Sequence, residues 1–83
     1  MTNTQIENFI SEKISTDKAV TIHFKSRNPV TGLFIKTQDF EDLKTKNFWR
    51  IVGESNLAEF IKTRNQNLAR IFNGADFTKL VSK

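Results

Sequence analysis

A single glycine, Gly32, stands inside the apolar, strand-like segment "VTGLFIK" at residues 30–36. A glycine within a strand usually marks a bulge, a sharp bend or a close approach of another backbone. Leu33, Phe34 and Ile35 follow it without alternation, so we expect buried side chains on both faces of this strand. Burial on both faces is typical of a small sheet that curls upon itself. The segment therefore predicts a strongly bent sheet.

The length of the chain predicts one small domain. The chain has 83 residues, too few for two independent cores, so we expect residues 1–83 to form one domain. Cysteine is absent, which excludes disulfide bonds, thiolate metal sites and a cysteine nucleophile. No apolar run approaches the ~20 residues that cross a bilayer, and "MTNTQIENF" lacks the order of a signal peptide. We expect a cytoplasmic protein with no membrane partner.

Two segments have the apolar spacing of helices, residues 4–15 and the shorter stretch 57–64. Each begins with the spacing of a capping box, in which a short polar side chain and a carboxylate satisfy the first backbone N–H groups. The two capping pairs are Thr4 with Glu7 and Asn56 with Glu59. The polar stretch 37–47 predicts a loop with one helical turn, and its boundaries stay open.

Five segments read as strands, at residues 19–25, 30–36, 48–52, 67–72 and 76–81. Between the last two, Asn73-Gly74 favours a type I′ hairpin, because both central residues of that turn need positive φ. The order of elements predicts a mainly β (α+β) domain. A five-stranded, strongly bent small barrel covers residues 19–82, with an N-terminal helix and a short helix between strands three and four. A flat sheet with a helix on one face is the alternative.

Residues that carry chemistry are few. His23 lies in an alternating strand and is expected at the solvent or at a rim, without a second metal ligand. Asp39, Glu41 and Asp42 share one loop, a composition that suits acid–base or cation chemistry and equally a solvated loop. The three glycines form no phosphate-binding loop. We expect no enzyme activity and no cofactor, and the net charge of +4 permits nucleic-acid binding without requiring it.

The order of elements, Gly32 in the second strand and "IFNG" at residues 71–74 resemble the Sm-like family. That family has an N-terminal helix on a five-stranded, strongly bent barrel of the Sm-like/SH3-like kind, and its members typically assemble into rings that bind RNA. The chain also resembles a small bacterial family of unassigned function that carries "VTGLFIK", "NFWRIV" and "ARIFNGA". This second resemblance implies no activity.

Two motifs carry the Sm-like resemblance. In the first, a glycine is followed by an Asp-x-aromatic-x-Asn loop. Here Phe40 holds the aromatic position, while Gln38 replaces the aspartate and Asp42 replaces the asparagine. In the second, an apolar residue, an arginine and a glycine precede the last strand, and here Asn73 replaces the arginine. In the family these residues surround an RNA base, on which the aromatic ring stacks.

The resemblance implies an RNA site in this chain. Phe40 would be the stacking platform and Asn73 the partner of a base edge, while the basic residues would contact phosphates. The predicted RNA-binding residues are Phe40, Asp42, Lys44, Lys46, Arg70 and Asn73.

An assembly module without nucleic acid is the alternative function. A barrel that is not fully closed leaves unpaired strand edges, and we expect a homo-oligomer through the edges near residues 67–81. Trp49 either packs in the core under the N-terminal helix or anchors an interface, and the sequence leaves both possibilities open.

Overall fold

A computed structural model describes all 83 residues and contains three α-helices and one five-stranded antiparallel sheet. The helices are α1 (Asn3–Ser15), α2 (Phe40–Thr45) and α3 (Leu57–Thr63). The strands are β1 (Val20–Phe24), β2 (Val30–Phe34), β3 (Phe48–Gly53), β4 (Ala69–Asn73) and β5 (Phe77–Ser82). Short 3₁₀ turns lie at Glu54–Asn56, Gln66–Leu68 and Gly74–Asp76. None of the helices is both long and apolar enough to cross a bilayer.

The strands lie in the order β4-β3-β2-β1-β5, so β4 and β5 are the two edges and the sheet is not closed into a barrel. The predicted hairpin of the last two strands is wrong, because β4 pairs with β3 and β5 pairs with β1. Asn73 has a φ of −87° and no glycine has a positive φ, so the Asn-Gly pair forms no type I′ turn. Gly74 instead allows a close approach, since a Cβ there would collide with the side chains of Asn47 and Trp49.

Strand β2 changes its pairing partner at Gly32. Residues 30–32 pair with β1, and residues 32–34 pair with β3. The two neighbours overlap along β2 at this one residue, and such a stagger is what a curving sheet requires. A Cβ at position 32 would lie 2.7 Å from Cγ2 of Ile51 and 2.7 Å from the carbonyl oxygen of Val52. Glycine therefore permits β3 to lie closely against β2.

The sheet bends strongly enough to bring distant strands together. β1 and β4 are separated by β2 and β3, which would hold them ~14 Å apart in a flat sheet. The rings of Phe24 on β1 and Phe72 on β4 nevertheless have centroids 6.0 Å apart. This contact requires the β4 side of the sheet to curve toward β1.

Two apolar clusters cover the two faces of the sheet. We call the face packed on α1 the inner face and the opposite one the outer face. The inner cluster consists of Ile6, Ile10, Val20, Ile22, Phe34, Trp49, Ile51, Phe77 and Leu80. The outer cluster consists of Leu33, Ile35, Val52 and Phe60. β2 is thus buried on both faces, as predicted. The sequence pattern attributes this burial to curling of the sheet alone, whereas Phe60 of α3 covers the outer face.

Trp49 lies in the core, with 2 % of its surface exposed. Its ring makes edge contacts with Phe34 and Phe40, at centroid distances of 6.1 and 6.0 Å. Its Nε1–H donates a hydrogen bond of 2.8 Å to Oδ1 of Asn47, which satisfies the one polar atom of the buried ring. Trp49 is therefore a core residue and not an interface anchor.

Both predicted capping pairs are wrong. α1 begins earlier in the chain, since the Thr2 hydroxyl accepts from the Gln5 N–H and the Gln5 side chain accepts from the Thr2 N–H. The same spacing occurs twice in this stretch, and the pair nearer the start of the chain forms the box. At α3, the side chain of Asn56 makes no capping bond, and the helix ends at Arg64 in the left-handed conformation.

The substitution Gly32→Ala tests the close approach of β2 and β3. We expect it to lower the free energy of unfolding by about 1–3 kcal/mol, because the added methyl overpacks against backbone that cannot move aside cheaply. Gly53→Ala is the matched control, since a Cβ at 53 meets nothing within 4 Å. Urea unfolding followed by tryptophan fluorescence measures both variants. Equal stability of the two variants would contradict the role given to Gly32.

Candidate nucleic-acid interface

A cleft of about 230 Å³ lies beside edge strand β4 on the inner face of the sheet. It is bounded by the β1–β2 turn, by the connection from β3 to α3, and by β4. Two arginines, Arg27 and Arg70, stand among otherwise neutral side chains, and we call the site the arginine cleft. Its lining residues are Arg27, Val30, Ile51, Gly53, Ser55, Asn56, Leu68, Arg70 and Phe72.

The bend of the sheet positions the arginine of the β1–β2 turn. Pro29 ends the turn "SRNP", and Arg27 reaches back over the aromatic pair that the bend brings together. Its guanidinium carbon lies 4.9 Å from the ring centroid of Phe24 and 5.8 Å from that of Phe72. Both distances are within the range of cation–π attraction. Because the two rings are half-buried, part of their surface stays accessible.

Strand alternation places the second arginine. Arg70 and Phe72 are two residues apart on β4, so their side chains lie on the same face. In the pairing of β4 with β3, they stand opposite Ile51 and Trp49, whose side chains belong to the inner cluster. Arg70 therefore stands on the inner face next to the aromatic pair.

The arginine cleft carries positive charge without local compensation. No carboxylate lines it, and neither Arg27 nor Arg70 takes part in any of the five ion pairs of the structure. The hydroxyl of Ser55 and the amide of Asn56 add neutral hydrogen-bonding groups at one wall. The arrangement suits a ligand with an anionic part and a flat apolar part, which is the composition of a nucleotide.

Of the residues predicted from sequence, Phe40 and Lys44 lie together on α2. The Phe40 ring is half-buried with its edge against Trp49, and the Nζ atoms of Lys36 and Lys44 lie 5.5 and 5.8 Å from its centroid. Lys44 is held by ion pairs of 2.7 Å to Glu7 and to Glu41. Hydrogen bonds to Glu41, and then to Glu7, raise the pKa of Lys44. In this structure, Lys44 is a link between α1 and α2.

The other four predicted residues lie in four different places. Lys46 is exposed just after α2, and the Oδ1 of Asn73 accepts the Ala75 N–H at 2.9 Å, which caps a 3₁₀ turn. Asp42 lines a second cleft, described below, and Arg70 lines the arginine cleft. The six predicted residues therefore do not line one common cleft. Their proposed contacts with RNA stay predictions.

Sequence reasoning missed Arg27, Phe24 and Phe72 as a unit. β1 and β4 are not neighbours in the sheet, so no pairing pattern in the sequence links the two phenylalanines. An arginine in a polar turn is ordinarily solvated, and only the ring pair beneath it distinguishes this one. His23, in contrast, lies half-buried on β1 opposite Lys79, near the position expected for it.

A second cleft of about 570 Å³ opens on the outer face, between the segment before α2, strand β3 and the turn before β4. No hydrophobic residue lines it, and we call it the polar cleft. At its side, Arg50 donates from Nε to Oδ1 of Asp39 at 3.2 Å and from Nη2 to Oδ2 at 2.8 Å. Hydrogen bonds from Arg50, and then from Thr37, lower the pKa of Asp39 to about 2. The lining residues are Thr37, Gln38, Asp39, Asp42, Arg50, Gln66 and Asn67.

Comparison of this chain with protein-family models, with curated proteins and with solved structures finds no match. The two clefts are therefore interpreted from their own chemistry.

The Asp39–Arg50 pair predicts a defined dependence of stability on pH. The pKa of Asp39 is lowered from 3.8 to about 2, so the stabilisation is complete above the unfolded-state value and is lost as pH falls toward about 2. Across that window, we expect the difference in unfolding free energy between the wild type and Asp39→Asn to shrink as the pH falls. Urea titrations at a series of pH values measure it. Asp17 and Glu41 also have a lowered pKa, but both variants contain them, so their effects cancel in the difference. A difference independent of pH would contradict the pairing.

Proposed function

We propose that this protein binds single-stranded RNA in the arginine cleft, with a strongly bent sheet of the Sm-like kind as its scaffold. The observation that carries the proposal is Arg27, which has no ion-pair partner and lies over the half-buried rings of Phe24 and Phe72, with Arg70 lining the same cleft. Phosphate groups pair with arginine, and exposed bases stack on aromatic or guanidinium planes. Both kinds of partner meet in this one cleft.

The magnitudes favour a nucleic-acid ligand over a simple anion. One base stacked on an aromatic ring contributes ~1–3 kcal/mol, and it tolerates any base because every base has a flat face. Each arginine that neutralises a phosphate also releases counterions, which strengthens binding at low salt. A small anion would use the arginines and leave the rings of Phe24 and Phe72 unused.

The fold supports the same proposal by resemblance. The sequence resembles the Sm-like family in its helix, its five strands and Gly32, and members of that family bind RNA. In this chain the helix and strands occur in that order, and β2 changes partner at Gly32. The proposed site differs from the one that the resemblance implies, since Phe40 is packed against Trp49 and lies outside the arginine cleft.

Two arginine variants test the proposal. We expect Arg27→Gln and Arg70→Gln each to weaken binding of a fluorescent oligouridine by about tenfold, the size of one charge-assisted hydrogen bond. The slope of log affinity against log salt should fall by about 0.7 for each phosphate that is no longer neutralised. Fluorescence anisotropy over a range of salt concentrations measures both quantities.

Lys62→Gln is the matched control, because Lys62 is exposed on α3, outside the arginine cleft. It removes the same charge and should leave the affinity for RNA within about twofold of the wild type. Salt largely screens an exposed charge that is farther from the ligand than the Debye length of about 8 Å. Phe40→Leu separates the proposed site from the one predicted by sequence, since it removes a ring and keeps apolar packing. Loss of RNA binding in Phe40→Leu, with Arg27→Gln unaffected, would contradict the arginine cleft.

Self-assembly through the sheet edges is a second candidate function. β4 and β5 are unpaired edges on opposite sides of the same sheet, so pairing of β4 in one copy with β5 in the next would build a head-to-tail chain or a ring. The observation that favours it is Ile71, a large apolar side chain on edge strand β4 that is 51 % exposed. Covering such a side chain stabilises an interface.

Ile71→Lys tests assembly against a closely matched control. We expect the wild type to grow in mass with concentration in light scattering, and Ile71→Lys to stay a monomer because it places a charge on the β4 edge. Ile61→Lys introduces the same change at a side chain that is 50 % exposed on α3, and it should assemble like the wild type. A wild type that is monomeric at every concentration, or equal behaviour of the two variants, would contradict assembly through β4.

A further inference from the structure

The polar cleft contains a flat, preorganised surface. Asp39 holds the guanidinium of Arg50 through two parallel hydrogen bonds, and the hydroxyl of Thr37 holds Asp39 in turn. A bidentate carboxylate–guanidinium pair is planar, and its orientation is fixed from both sides. The Arg50 side chain stays 29 % exposed and lines the cleft.

Side chains that can form hydrogen bonds with a ligand line the cleft around this ion pair. The side chains of Gln38, Gln66 and Asn67 line the cleft, and each amide offers both a donor and an acceptor. Asp42 adds a carboxylate, which accepts only. On β4, Ile71 stands directly across the strand pair from Arg50 and extends the surface with an exposed apolar side chain.

The charges of the polar cleft select the kind of ligand. Arg50 and Asp39 neutralise each other, while Asp42 has no ion-pair partner, so the cleft is net negative. A phosphate would be repelled there, in contrast to the arginine cleft. A volume of about 570 Å³ without an apolar wall suits a flat, neutral and strongly hydrogen-bonding group.

We infer that the polar cleft binds a neutral nucleobase with an exocyclic amino group, cytosine being the simplest, stacked on the guanidinium plane of Arg50. Bases stack on arginine planes as well as on aromatic rings. Asp42 accepts from the amino group, as carboxylates do from N4 of cytosine, while the amides of Gln38 and Asn67 meet the remaining edge. The sugar and phosphate stay outside. This site does not depend on RNA binding in the arginine cleft.

The test titrates cytidine, uridine and cytidine 5′-monophosphate into the ¹⁵N-labelled protein and follows its amide and guanidinium signals by NMR. We expect cytidine to shift signals of residues 37–42, Arg50 and 66–67, and to bind more tightly than uridine, which offers a carbonyl where cytosine offers the amino group. Judged by the polar-cleft signals alone, the monophosphate should bind more weakly than the nucleoside because of Asp42, while binding in the arginine cleft would shift signals of other residues.

Two variants separate stacking from charge. Arg50→Lys keeps the positive charge and removes the plane, so cytidine affinity should fall about tenfold, the size of one stacking interaction. Asp42→Asn leaves the fold intact at an exposed position, and it should raise the affinity for the monophosphate relative to cytidine. Lys62→Gln is the control, since Lys62 is exposed on α3 outside both clefts, and it should leave cytidine binding unchanged.

Three results would overturn the inference. They are the absence of cytidine-induced shifts in the polar cleft, equal binding of cytidine and uridine there, and a ratio of cytidine to monophosphate affinity that Asp42→Asn does not change. Each is independent of the oligouridine titration, in which Arg27→Gln reports on the arginine cleft alone. Failure of one site is therefore distinguishable from failure of the other.

Discussion

The close contact of β2 and β3 at Gly32 is the constraint on which this structure depends. Without a side chain at 32, the backbone of Val52 and the side chain of Ile51 lie directly against β2. β2 can then pair with β1 over its first half and with β3 over its second half. The resulting bend brings Phe72 to Phe24 across two intervening strands. The arginine cleft exists because of that bend.

Edge strand β4 links the proposed activities. Neighbouring side chains of a strand point to opposite faces, so Arg70 stands on the inner face with the arginine cleft and Ile71 stands on the outer face beside Arg50. The backbone of the same strand is an unpaired edge. The proposed RNA site and the proposed assembly edge would thus share β4, while the polar cleft lies beside that strand.

Net charge was a poor guide to the site, and the ion pairs explain why. Four basic residues, Lys44, Arg50, Arg64 and Lys83, are held by carboxylates, and they serve to join elements. Lys44 joins α1 to α2, and Arg64 joins the end of α3 to the residues after α1. Whether a basic residue is free to bind a ligand depends on which carboxylates lie near it in the folded structure. The net charge of the chain does not contain that information.

Local patterns were enough to predict the elements of this protein, because helix and strand periodicity depends on residues a few positions apart. The helix over 4–15, the short helix over 57–64, the five strands and the special role of Gly32 all follow from such patterns. The partners of β4 and β5, the tight packing at Gly74 and the meeting of Arg27 with two phenylalanines could not be predicted in this way. They depend on contacts between segments far apart in the chain, and these form only once α1 and the bent sheet have buried their apolar faces together.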